Sequence, residues 1–204
     1  MFFSLPESHR TSGEPLFGWP HPGGIVAFYD LLDPNIEVTS DAGGTADVLD
    51  AEGAAVPGLF LVNSMMVTPG GYKEEAEAFG GADAADGADD AVAQENSISG
   101  PSAFNYTAMP FGSKKEFQEW LKEYVLKCRQ TMKDKGIPQE KIKEFMADAK
   151  VFCPFLLKKF KDLTPYMASN CNADGAIIFE YWPDESASCP SFVYIKGGLI
   201  ETKC

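Results

Sequence analysis

Between residues 113 and 162 the apolar positions fall into a helical rhythm. Phe117, Trp120, Leu121, Tyr124, Cys128 and Met132 recur at three- and four-residue steps, which draws one apolar stripe along a first helix. Ser113 stands ahead of it with Glu116 three residues on, the spacing of a capping box. Gly136-Ile137-Pro138 ends this helix and opens a second, Pro138 suiting a position in the first turn. Ile142, Phe145, Met146, Ala149 and Phe152 continue the pattern into Leu156, Leu157 and Phe160. Pro154 falls inside the second helix and is expected to kink it, because it has no N–H to donate. Two apolar stripes joined by a short turn predict an αα-hairpin that packs together or onto a sheet.

On either side of this hairpin the apolar residues come in short runs. Ile25–Leu32, Gly58–Val67, Ala176–Trp182 and Ser191–Lys196 read as strands. Asp33-Pro34-Asn35 and Thr68-Pro69-Gly70-Gly71 stop the first two, and the polar segment Pro183–Pro190 separates the others. Gly197-Gly198 reads as a tight turn into a last strand, Leu199–Cys204. Strands before and after a helical pair predict an α+β fold with largely antiparallel pairing. Residues 72–103 are mostly Ala, Gly, Asp, Glu and Ser, with too little apolar surface to offset chain entropy, and read as a mobile acidic loop. Residues 1–24 are rich in Pro, Gly and Ser and read as a flexible extension, leaving 25–204 as a single domain.

Composition narrows the function. A hydrophobic content of 45% and a charged content of 23% are globular values. No apolar run reaches the roughly 20 residues that span a bilayer. The opening Met1–Pro6 lacks a basic stretch, so a cytoplasmic protein is expected. The net charge of −13 argues against nucleic acid as the main partner. That charge is unevenly spread: residues 25–112 hold 15 acids and one base, whereas 113–162 hold 13 bases and 8 acids. Lys114, Lys115, Lys122, Lys127, Arg129, Lys141, Lys143 and Lys150 crowd the two helices of an otherwise acidic protein.

The catalytic vocabulary is thin. Both histidines, His9 and His21, lie in the extension, which leaves 25–204 without an imidazole for a nucleophilic triad or a metal site. There is no Walker loop and no G-x-G-x-x-G, and the glycine pairs at 43–44, 70–71, 80–81 and 197–198 read as turns. A hydrolase built on carboxylates alone stays open, although no spacing singles out a pair. Asp83, Asp86, Asp89 and Asp90 are oxygen donors for calcium, without EF-hand spacing, so any binding is expected to be weak; a solvated acidic loop fits the same residues. The five cysteines form no C-x-x-C and read mostly as small apolar packers, apart from the terminal Cys204. Asn105-Tyr106-Thr107 matches a glycosylation sequon, which carries little weight without a secretory signal.

These segments, taken in order, resemble the translationally controlled tumour protein (TCTP) family. Asp174-Gly175-Ala176-Ile177-Ile178 with Trp182 is similar to the family's C-terminal signature, and Phe192–Cys204 to its terminal hairpin and last cysteine. Ile25–Leu32 followed by Glu37-Val38-Thr39-Ser40-Asp41 resembles the opening strand and a Glu-x-x-Ser-Asp segment. Leu59–Thr68 resembles the next strand, Gly80–Asp90 the acidic glycine-rich loop, and Phe111–Lys127 the start of the hairpin. The sequence departs from the family in residues 1–24, in Gly80–Ala85, and at Ala168-Ser169, where the family has Gly-Glu.

The resemblance implies a β-tent similar to Rab-chaperone folds, with a projecting helical hairpin and a disordered loop. It implies a cytoplasmic, non-catalytic binding and regulatory protein in growth control and anti-apoptosis. The implied partners are calcium, tubulin, Bcl-type apoptosis regulators and a Rheb-like small GTPase; no cofactor is implied. Glu37 corresponds to the family's GTPase-contacting glutamate, allowing one inserted residue. Cys204 corresponds to the cysteine suggested to link two copies of an otherwise monomeric protein. The basic face, with Lys114, Lys115, Lys122, Lys141 and Lys143, is the expected tubulin side, since tubulin is acidic. A calcium buffer working mainly through the acidic loop, or a carboxylate hydrolase, is the competing reading.

Overall fold

The computed structural model describes residues 25–69, 93–182 and 187–203. The order of elements is β1 (Val26–Asp30), β2 (Glu37–Ser40), β3 (Thr45–Leu49), β4 (Ala55–Asn63), β5 (Met66–Val67), β6 (Glu95–Asn96) and β7 (Thr107–Ala108). The helices α1 (Lys114–Asp134) and α2 (Gln139–Lys158) follow, then β8 (Leu163–Met167), β9 (Ile177–Tyr181), β10 (Ser191–Ile195) and β11 (Leu199–Lys203). The strands form a six-stranded sheet in the order β3-β4-β10-β9-β8-β7, a three-stranded sheet β11-β1-β2, and the small β5-β6 ribbon. Every pairing is antiparallel, as the α+β reading expects.

The six-stranded sheet is the middle of three layers. Alternation along its strands shows why: Val193 and Ile195 of β10, Ile177 and Phe179 of β9, and Leu59 of β4 pack against Phe117, Leu121, Phe145, Phe152 and Leu156 of the helices. Phe192, Tyr194, Ile178, Phe60 and Val62 point to the other side, onto Phe28 and Val38 of the three-stranded sheet. All five residues of β10 are buried, because both faces of that strand are covered. Each large side chain placed in these layers contributes roughly 1.5–3 kcal/mol.

The hairpin forms where the periodicity places it. Ser113 Oγ accepts from the Glu116 N–H at 3.2 Å, but Glu116 Oε2 reaches back one residue further than a capping box requires and accepts from Gly112 N–H at 2.7 Å. At the other end Ile137 N–H returns to Met132 O and Gly136 N–H to Lys133 O, with Gly136 at φ +68, which satisfies the last carbonyls of α1. Pro138 serves as N-cap of α2 and not as a first-turn residue. The helix continues through the exposed Pro154 to Lys158. Two glycines allow the layers to close. Gly58, at φ +78, leaves space that a Cβ would take 2.8 Å from Asp148 and 2.9 Å from Phe152. Gly198 lies in the turn from β10 into β11, as its sequence suggests, and also makes room for α1: a Cβ there would stand 2.0 Å from the Tyr124 hydroxyl.

Residues 93–103, expected within the mobile loop, are folded. Met65 N–H donates to Ser97 Oγ and Ser97 N–H to Met65 O, Asn96 Nδ2 donates to Ser64 Oγ, and Asn96 Oδ1 caps the N–H groups of Ile98 and Ser99. Ile98 enters the core between the sheets. Hydrogen bonds order this stretch where apolar area alone would not. The rest of the expected loop, 70–92, lies outside the described residues, as does the extension 1–24.

Candidate interaction surfaces

On the hairpin, burial of the apolar stripes turns the cationic positions outward. Lys114, Lys115, Lys122, Lys141 and Lys143 are exposed, as are Arg129 and Lys150. Lys115 pairs with Glu119 at 3.9 Å, an exposed contact of little energetic consequence. Lys127 is engaged at 2.5 Å by Asp174, which ties α1 to the turn before β9. Trp120 reinforces the same junction by donating its indole N–H to Ala173 O at 3.0 Å. Among the described residues, Lys114, Lys122, Lys141 and Lys143 make no ion pair.

Glu37 is the first residue of β2, exposed and paired in register with Tyr29. Among the described residues its carboxylate has no hydrogen-bond or ion-pair partner. It borders neither of two grooves formed by the described residues. The first, about 400 Å³, opens where β1 and β11 face β3 and β4; Phe28 and Phe60 line it together with Asp41, Asp47, Glu201 and Lys196. The second, about 250 Å³, is apolar and lies between Phe111, Phe160, Leu163 and Pro165. The sequence reading missed both, since their walls come from residues far apart along the chain.

It also missed two buried polar links. Asp30 accepts from Leu32 N–H and from Ala176 N–H, each at 2.9 Å, and joins the end of β1 to the residue before β9. Burial holds its carboxyl above the usual range against the opposing pull of these two N–H donors. Tyr106 donates to Val38 O at 2.6 Å, so the 2.9 Å contact between the phenols is supplied by the Tyr194 hydroxyl. Burial raises both phenols well above their ordinary range, so they act as hydrogen-bond groups and not as acids.

Chemistry of other kinds finds little material among the described residues. No group of three or more His, Cys, Asp or Glu is placed to hold a metal ion. Burial pushes the Cys128 thiol up to about 12 and the Cys153 thiol up to about 11, which suppresses their thiolates. Cys171 departs from the apolar-packer reading, being exposed in a turn at φ +53. Among the described residues, no helix is long and apolar enough to cross a membrane. Asp83, Asp86, Asp89, Asp90 and Cys204 lie outside the described residues.

The profile of the translationally controlled tumour proteins matches residues 27–200, which takes in the hairpin and both main sheets. The chain belongs to the TCTP family. A TCTP homolog of Neurospora crassa is 30% identical over 181 residues, 88% of this chain and 99% of that protein. Among solved structures, the translationally controlled tumor-associated protein of Schizosaccharomyces pombe has a TM-score of 0.58 at 19% identity, covering 88% of this chain and 99% of its own. The TCTP of Caenorhabditis elegans has a TM-score of 0.51 at 15% identity, covering 88% and 98%. The α+β architecture is therefore that of TCTP, with antiparallel sheets and two helices.

Proposed function

We propose that this protein is a cytoplasmic TCTP-type binding and regulatory protein without a catalytic centre, and that it associates with tubulin through the lysines of α1 and α2. One observation carries this reading. Lys114, Lys122, Lys141 and Lys143 stand free of ion pairs among the described residues, on helices whose opposite faces are locked into the core. A cationic face on a fixed scaffold attracts an acidic partner and loses little entropy on binding. The test is co-sedimentation with microtubules. Lys141→Glu with Lys143→Glu should lower the pelleted fraction severalfold, and raised salt should do the same to the unaltered protein. A pellet unchanged by both would remove the proposal.

A second contact is supported by Glu37, an exposed carboxylate on an edge strand with no partner of its own among the described residues. Its proposed counterpart is a Rheb-like small GTPase, approached electrostatically. Glu37→Val should slow GTPase nucleotide release to the rate without this protein; equal rates with both forms would exclude the contact. Calcium is proposed to bind weakly through Asp83, Asp86, Asp89 and Asp90. Calorimetry on a chain lacking 74–92 tests this, and the deletion stops there because Asn96 and Ile98 belong to the fold. Loss of the binding heat is expected, and retention would place calcium elsewhere.

A further inference from the structure

We propose that the groove between the two main sheets binds an alkylammonium group, an amine carried on a short aliphatic arm. The floor is aromatic and fixed: the Phe28 and Phe60 rings lie 5.0 Å apart, and Phe60 stacks on the buried Tyr194 at 5.2 Å. Phe60 is covered by Phe28 on one face and Tyr194 on the other, so the floor offers methylene groups apolar contact and leaves the cation to the rim. The rim supplies the opposite charge. Asp41, Asp47 and Glu201 outnumber Lys196, and Asp41 is held in place because its Oδ1 accepts the Val26 N–H at 2.8 Å. Among the described residues, the carboxylates of Asp47 and Glu201 have no hydrogen-bond or ion-pair partner.

The volume of about 400 Å³ falls within the range of small-molecule sites, roughly 300–1,000 Å³. An anion would meet three carboxylates, and a wholly apolar ligand would cover them without answering their charge. A single ammonium on a hydrocarbon arm satisfies floor and rim together, while Lys196 disfavours a second cationic centre. The lysines proposed to meet tubulin belong to other elements, so either proposal can fail without the other.

The experiment is an NMR titration of the full chain with two probes, n-butylammonium and a blocked Gly-Lys-Gly tripeptide, with n-butanol as the uncharged control. Saturable shifts are expected at Phe28, Ala46, Asp47, Phe60 and Glu201, and n-butanol should not reproduce them. Asp47→Asn combined with Glu201→Gln should weaken binding about tenfold or more. Ala46→Trp, on an exposed edge position, should abolish binding by filling the groove while keeping its charge, and it decides the matter if the double variant does not fold. Tighter binding of the tripeptide would identify a lysine of a partner protein as the occupant, and equal or tighter binding of n-butylammonium a free amine. Shifts that do not saturate, that n-butanol matches, or that survive both Ala46→Trp and the double variant would overturn the proposal.

Discussion

In the helical hairpin, one face of each helix is buried by apolar contact and the other carries charge with few partners. At the junction of the two main sheets, side chains from five strands interlock, and buried polar atoms join segments far apart in sequence. Val38 is tied to Tyr106, Tyr106 in turn to Tyr194, and Asp30 to Ala176. The hairpin is thus held by local periodicity and area, and its outer surface keeps its charges exposed. The junction is held by long-range geometry, and most of its polar groups are already committed.

Substitutions should separate the two regimes. The largest loss is expected where the hairpin meets the sheet: Phe152→Ala removes a ring with 0% exposure above Gly58 and should cost about 3–5 kcal/mol in chemical denaturation. At the junction, Tyr106→Phe should cost about 1–3 kcal/mol, because Val38 O and the Tyr194 hydroxyl are left buried without their partner.

Asp30 gives the junction a pH signature. Its folded pKa lies above the ordinary aspartate value of 3.8, so the folded state takes up this proton first as pH falls. Its contribution to stability therefore grows on acidification from the raised folded value down to 3.8, and is lost again as pH rises through that window. Denaturation series across this range should show Asp30→Asn lacking that component, with no corresponding change in a hairpin variant. At the hairpin's start, Ser113→Ala should cost about 1 kcal/mol through loss of the N-cap.

The smallest effect sharpens the contrast. Thr39 Oγ1 is buried beside the Tyr106 and Tyr194 hydroxyls, close enough to act on both but without good hydrogen-bond geometry to either, so Thr39→Val on β2 should change stability by no more than about 1 kcal/mol. A large loss at Thr39 would mean that its hydroxyl is part of the junction's network after all.

The same division explains what could be read from the chain. Phe117, Leu121, Tyr124, Cys128 and Met132 all proved buried, because a helix converts local spacing directly into a face. Trp120 stays half exposed because its indole N–H turns to Ala173 O. Strand β3 left no signal: only Val48 of its five residues is buried, as suits an edge. Strand β8 was hidden by Pro165, whose missing N–H is tolerated near the edge, where only the two-residue β7 lies beyond. Asp30 sat unremarked in an apolar run, since its partner Ala176 lies 146 residues away. Glu37 and the free lysines were legible as charges, but their freedom from partners is a property of the fold. The groove over Phe28 and Phe60 was not legible at all, because it exists only once β1, β3, β4 and β11 meet.

Gly58 has a mechanical consequence. Without a Cβ at that position, α2 beds directly on β4, and β4 is paired from the next residue, Leu59, through Asn63 with β10 in the middle of the molecule. A force applied at the Gly136 tip would pass down α2 into the central strands before the helix pair could swing aside. The hairpin is built as a lever and not as a tether.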